Sequence, residues 1–164
     1  MYQLLLLISL SLFSVPPAEK YRCTPCGYDC DKVEYDKPGT CPSCHMELVK
    51  SNTIVFRQLA TDKVCDYISA HPSTVLLDVR TEEEFDGKAA PDYGRLKNAI
   101  NIPVDDLSKR MAELNAYKDR EILVYCSHSH RSPRASYLLT QHGFTHVVNM
   151  EGGMSVMKKG PCTK

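Results

Sequence analysis

The chain has 164 residues, 43% hydrophobic and 24% charged, which allows one ordinary domain with a small module beside it. Twenty acidic side chains balance 20 Lys and Arg, so the formal net charge is zero and composition makes no case for a nucleic-acid partner. No internal repeat or low-complexity linker interrupts it.

Residues 4–15 form an apolar run of 12, too short to span a bilayer comfortably but the right length for the core of a signal peptide. No Lys or Arg precedes it, and Ala18 is a poorly framed cleavage position behind Pro16 and Pro17. A cleaved signal over residues 1–18 is expected. An uncleaved anchor is the alternative, and would be the only membrane attachment; a buried helix is the third reading.

Residues 20–50 hold five of the eight cysteines. Cys23-Thr24-Pro25-Cys26 and Cys41-Pro42-Ser43-Cys44 are two C-x-x-C knuckles with 14 residues between them. Such knuckles converge four thiolates on one tetrahedral ion, and so short a segment cannot fold on apolar burial alone. Cys23, Cys26, Cys41 and Cys44 are therefore the expected ligands, with Cys30 and His45 as spares. The run Pro38-Gly39-Thr40-Cys41-Pro42-Ser43-Cys44-His45-Met46-Glu47-Leu48-Val49 resembles small heavy-metal-binding domains of bacterial copper-handling proteins, although that family often carries glycine where His45 sits. Zinc is the default occupant of a four-thiolate site, in a structural role; Met46, Cys30 and the resemblance leave copper(I) open. The resemblance also implies a metal-handling protein as a partner, and with the signal it places the chain in a bacterial periplasm. Export would equally permit disulfides, or a redox pair at each C-x-x-C, but paired knuckles at this spacing favour metal.

From residue 53 the pattern becomes mixed α/β. Thr61 is placed to cap a helix carrying Val64, Cys65, Tyr67 and Ile68, with Cys65 on its packing side and His71-Pro72 at its end. A strand over residues 75–79 follows, then a short acidic turn capped by Thr81, a surface loop over residues 86–95 and a short strand at residues 99–102. A helix at residues 105–114 would put Leu107, Met111 and Leu114 on one face. Residues 121–125 are apolar at nearly every position, as in a strand buried on both faces of a parallel sheet. Strands alternating with helices make an α/β fold, a parallel sheet flanked by helices. Gly152-Gly153 opens a short last helix, and the tail ends in Cys162, an exposed cysteine or one that reaches back as a resolving thiol.

Cys126 falls at the carboxyl end of the buried strand, where such sheets place ligands. Ser132 and Pro133 fit the N-cap and first position of the next helix, which Gly143 ends. The loop thus lies at a helix N-terminus, whose N–H groups, dipole and Arg131 favour a thiolate or a bound oxyanion, as a nucleophilic cysteine requires.

Cys126-Ser127-His128-Ser129-His130-Arg131-Ser132 resembles the active-site loop of rhodanese-like sulfurtransferases. So, over residues 55–160, do Val75-Leu76-Leu77-Asp78-Val79-Arg80, the segment from Gly94 to Pro103, and Gly152-Gly153 after the last strand. Ser129 stands where the family usually has glycine, Arg95 where it has histidine and Met157 where tryptophan is common. The resemblance implies a rhodanese-like domain over residues 53–160 that moves sulfur from a donor such as thiosulfate to a thiol or cyanide through a Cys126 persulfide. It implies that Arg131 stabilises the anion, that Ser127, His128, Ser129, His130 and Ser132 line the substrate, that Asp78 orients the loop and that Arg80 lies near the pocket. From the residues alone, Asp78 could equally pair with Arg80 or cap the next turn. A loop of six, 126–131, is also shorter than the loop of the related phosphatases and arsenate reductases. A second function class remains, a periplasmic zinc- or copper-binding protein whose rhodanese-like domain docks a partner or senses sulfur.

Overall fold

The computed structural model describes residues 18–164, so the expected signal segment, Ala18 excepted, lies outside the described residues. Among these, no helix is long and apolar enough to cross a membrane. The cysteine-rich stretch closes on a two-stranded antiparallel ribbon, β1 (Tyr21–Cys23) with β2 (Leu48–Lys50), in which Cys23 faces Leu48. A single 3-10 turn, Asp29–Lys32, folds Cys30 inward. The buried side chains here are Cys23, Cys26, Cys30, Cys41 and Leu48, four thiols for one aliphatic group. That core is too small to hold a ribbon without a further staple.

The rest of the described chain runs β3 (Arg57–Ala60), α1 (Val64–Ala70), β4 (Val75–Asp78), α2 (Glu82–Phe85), β5 (Ile100–Asn101), α3 (Leu107–Arg110), β6 (Ile122–Tyr125), α4 (Arg131–Gln141) and β7 (Val147–Glu151). The five strands form one wholly parallel sheet in the order β3-β7-β6-β4-β5. β4 and β6, apolar but for Asp78 at the end of β4, are buried at every position. Their side chains alternate between two cores. Leu77, Ile122 and Val124 pack with Leu107, Met111, Leu114 and Leu139 on the side covered by α3 and α4. Leu76, Leu123 and Tyr125 pack with Val64, Met150 and the half-buried Tyr67 and Ile68 of α1 on the other. The expected α/β sheet flanked by helices is the fold, with the cysteine-rich ribbon at its N-terminal side.

Several local expectations change. Thr61 does not cap α1; it lies in a 3-10 turn, Thr61–Lys63, and its hydroxyl donates to the Glu151 carbonyl, joining the ends of the paired β3 and β7. The helix expected at residues 105–114 is α over Leu107–Arg110 and then 3-10 over Met111–Tyr117, with Leu107, Met111 and Leu114 buried as anticipated. Cys65 is no packing residue and Cys162 no free terminal thiol: the two form a disulfide across 97 positions of sequence. This bond fastens a tail whose backbone pairs with residues 95–97, through Arg95 N–H to Lys164 O (3.0 Å) and Lys97 N–H to Cys162 O (2.8 Å).

Candidate active-site loop and cysteine cluster

β6 delivers Cys126 to the carboxyl edge of the sheet, only 1% exposed. α4 begins at Arg131, two residues earlier than the expected cap at Ser132 requires, and no side chain caps it. Ser132 is instead fully buried in the first turn, and its Oγ lies 3.5 Å from Cys126 Sγ as acceptor of the thiol proton. From beneath, Met154 N–H donates to Cys126 O and Ser155 N–H to Ser127 O, both at 2.9 Å. A Cβ at Gly153, where φ is +68°, would collide with the Ser127 carbonyl, so the double glycine is what lets this turn approach. With the loop carbonyls drawn down, the N–H groups of residues 126–130 have no backbone acceptor among the described residues.

Ser129 adopts φ +59°, the left-handed conformation that glycine takes freely and a residue with a Cβ takes at a cost. Its hydroxyl donates to Met150 O at 3.3 Å. The position demands that backbone whichever residue stands there.

Arg131 does not stand free to meet an anion. Its guanidinium grips Glu84 with two bonds, at 2.6 and 2.8 Å, and Ser127 Oγ–H donates to the same carboxylate at 2.7 Å. Glu84 also completes a capping box with Thr81 at the start of α2. Arg131, ahead of Ser127 and Thr81, holds the Glu84 carboxyl down at about 2, below the usual carboxylate range. Sequence reasoning read Glu84 only as part of an acidic turn; the Thr81-x-x-Glu84 spacing was its one signal.

Asp78 and Arg80 are both fully buried and bound to each other. Asp78 accepts from Arg80 Nε (3.0 Å), Nη2 (2.7 Å) and backbone N–H (3.0 Å), while Arg80 Nη2 also reaches Gly94 O at 2.9 Å. The hydrogen bonds of the Asp78 carboxylate thus go to Arg80 rather than to the loop, because its own strand end places the guanidinium two residues away. Arg80 stacks over the Tyr125 ring at 5.8 Å, one residue before Cys126.

The two loop histidines point to different neighbours. His128 Nε2 lies 3.2 Å from the Tyr93 hydroxyl. His130 stacks on Tyr28 of the cysteine-rich segment, ring centroids 4.2 Å apart and planes 17° from parallel. Between segment and loop runs a cleft of about 590 Å³, lined among others by Arg22, Tyr28, His128, Ser129 and Asn149.

In the cysteine-rich segment, the thiols that lie within 4.8 Å of one another are those of Cys23, Cys26, Cys30 and Cys44. Cys30, expected only as a spare, joins this set with three of the four expected ligands, because the 3-10 turn folds it back to 3.5 Å from Cys26 Sγ. Cys41 is buried in the same small core, and N–H groups of Cys44 and Ser43 lower its thiol to about 6. Burial pushes the thiols of Cys23, Cys26 and Cys30 up. Metal–sulfur bonds of about 2.3 Å put tetrahedral sulfurs about 3.8 Å apart. The 4.0 Å from Cys23 to Cys26 and the 3.5 Å from Cys26 to Cys30 fit that set, while Cys23 and Cys44, at 3.0 Å, sit closer. The donor set suits a thiophilic metal. All five cysteines of the segment are free, so neither C-x-x-C is a disulfide.

Residues 62–159 match the family profile of the rhodanese-like domain. An uncharacterized protein of Bacillus subtilis (strain 168), YqhL, is 33% identical over 88 residues, covering 54% of this chain and 64% of its own. The tRNA uridine(34) hydroxylase of Cronobacter sakazakii is 32% identical over 87 residues, 51% of this chain and 23% of the hydroxylase. The chain therefore spans less than two thirds of these curated relatives. Among solved structures, a rhodanese-related protein from Thermoplasma volcanium superimposes with TM-score 0.50 at 29% identity, over 60% of this chain and 87% of that one. A rhodanese-like domain protein from Staphylococcus aureus does so with TM-score 0.53 at 25% identity, over 65% and 95%.

Proposed function

The chain belongs to the rhodanese-like domain family, and on that premise we propose that it transfers sulfane sulfur through a persulfide on Cys126. One observation carries the reading. Among the described residues Cys126 is the only free cysteine outside the cysteine-rich segment, and it sits under a loop whose N–H groups lack backbone partners. Those N–H groups, at the N-terminus of α4, stabilise a thiolate and the anions that exchange with it. Cys126 thiolate attacks the outer sulfur of a donor such as thiosulfate; the S–S bond breaks and sulfite leaves with the electron pair. An acceptor thiolate, or cyanide, then takes that sulfur from the persulfide and Cys126 returns as thiolate.

Arg131 serves this reaction through Glu84 and Ser127 as a brace for the loop. Ser132 hydrogen-bonds the reacting sulfur. His128, Ser129 and His130 shape the approach. Asp78 and Arg80 hold the sheet edge beneath. The hydroxylases share only this domain-sized stretch, and a balanced charge favours a small sulfur donor and thiol acceptor over a nucleic acid. A metal at the cysteine cluster, zinc by default and copper(I) as the alternative, would supply a structural staple for the ribbon. The Cys65–Cys162 disulfide supports an oxidising compartment, in keeping with export to a bacterial periplasm.

The test is thiocyanate formation from thiosulfate and cyanide, expected of the full chain and absent in Cys126→Ser. Thiocyanate from folded Cys126→Ser would overturn the reading. The thiol cluster favours a second reading, a metal-handling protein whose rhodanese-like domain docks a partner or senses sulfur. Copper(I)–thiolate absorption that disappears in Cys23→Ser, in a chain with no sulfur transfer, is its signature.

A further inference from the structure

The residues between the clustered cysteines Cys26 and Cys30 are the ones that press on the loop of Cys126. Gly27, at φ +75°, approaches so closely that a Cβ there would overlap the Ser129 carbonyl. Next to it, the Tyr28 ring lies flat on His130, although 57% of Tyr28 is exposed. The turn is tied by Asp31, whose carboxylate accepts from the N–H groups of Cys26 (2.9 Å) and Gly27 (2.7 Å). On the loop side, the touched residues are Ser129, in its strained left-handed conformation, and its neighbour. Strained backbone persists only where its surroundings over-determine it.

We propose that the cysteine cluster controls the Cys126 loop: a metal held by Cys23, Cys26, Cys30 and Cys44 fixes Gly27 and Tyr28, and these positioning residues clamp Ser129 and His130 in the reactive arrangement. The ribbon has almost no apolar core, so its order follows its metal. Loss of the metal loosens residues 26–30, frees Ser129 to leave the left-handed region and spoils the row of N–H groups over Cys126. Coupling of this kind is reciprocal, so a loop held closed by a bound anion tightens the metal site in turn. Sulfur transfer becomes dependent on thiophilic metal.

The effect on turnover rests on the sulfur-transfer reading, whereas the clamp does not, and the experiment separates them. Full-length protein is compared with zinc bound and with zinc removed by a chelator, without reductant so that Cys65–Cys162 stays closed. Amide exchange is followed by mass in peptides covering residues 126–131 and β4, and persulfide formation in a single turnover with thiosulfate. Removing zinc is expected to speed exchange in the loop about tenfold or more while β4 is unchanged. It is expected to slow persulfide formation by roughly tenfold to a hundredfold, as small misplacements of reacting groups do. Tyr28→Ala, with zinc still bound, is expected to loosen the loop in the same direction, which keeps the test decisive if zinc removal also disturbs β4.

Loop exchange indifferent to zinc, or a zinc-bound Tyr28→Ala that matches the parent, would overturn the clamp. Equal persulfide rates with and without zinc would overturn the cluster's control of sulfur transfer and leave the sulfurtransferase reading standing. A zinc-dependent loop with no persulfide in any form supports the clamp and ends the sulfurtransferase reading.

Discussion

Arg131 and Glu84 are joined by two bonds, Nη1 to Oε2 at 2.6 Å and Nη2 to Oε1 at 2.8 Å, which lock the end of the Cys126 loop to the first turn of α2. Glu84→Gln leaves the guanidinium half-buried without a counter-charge and is expected to cost about 1.5–3 kcal/mol, the range for a hydrogen bond to a charged group. Because the folded carboxyl titrates at about 2, below its unfolded value, its contribution is present at neutral pH and fades as pH falls from the unfolded value toward 2. Urea unfolding at several pH values checks this: the parent should lose stability over that acid range more steeply than Glu84→Gln. Parallel curves would contradict it.

The buried pair Asp78–Arg80 separates structure from chemistry. Asp78→Asn strands a fully buried guanidinium and is expected to lose about 3–5 kcal/mol. The folded fraction should still form persulfide at close to the parent rate, since Asp78 bonds Arg80 rather than the loop. Denaturation midpoints and single-turnover rates on the same sample decide between a supporting and a loop-orienting role.

Ser129→Gly tests the strained position directly. Glycine removes the penalty of a left-handed conformation but also the hydroxyl bond to Met150 O, so a net gain of about 0.5–1 kcal/mol is expected. Ser129→Val, branched at Cβ, should be destabilising. A melting temperature that falls in Ser129→Gly would mean that the hydroxyl outweighs the backbone.

Opening the Cys65–Cys162 bond with Cys65→Ser lengthens the unfolded chain's freedom across 97 positions and is expected to cost about 2–4 kcal/mol. Faster amide exchange should be confined to the tail and to residues 94–97 against which it pairs. Thermal melting with exchange mapping reads both.

How much of this could be read from sequence depends on how local its cause is. Apolar runs at residues 75–79 and 121–125 could hardly be anything but central strands, and Cys126 followed from the second of them. Leu107, Met111 and Leu114 shared a face even though their helix turned 3-10 midway, because burial tolerates either winding. β3 carried no such pattern: Arg57, Gln58 and Ala60 are exposed at the sheet edge, and only Leu59 is partly covered. Cys65 with Cys162, Arg131 with Glu84, and Tyr28 with His130 are pairings between distant segments, to which spacing along the chain gives no access. That Cys30 joins the thiol cluster turned on one 3-10 turn that no periodicity announces.

The measurement that bears most directly on Cys126 is the intact mass of the zinc-loaded full chain after brief exposure to thiosulfate, run beside Cys126→Ser. A gain of one sulfur atom, about 32 Da, in the parent and none in the variant is the expected result. No gain in folded protein with Cys126 reduced, or the same gain in the variant, would contradict sulfur transfer through this loop and turn attention to the metal-binding reading.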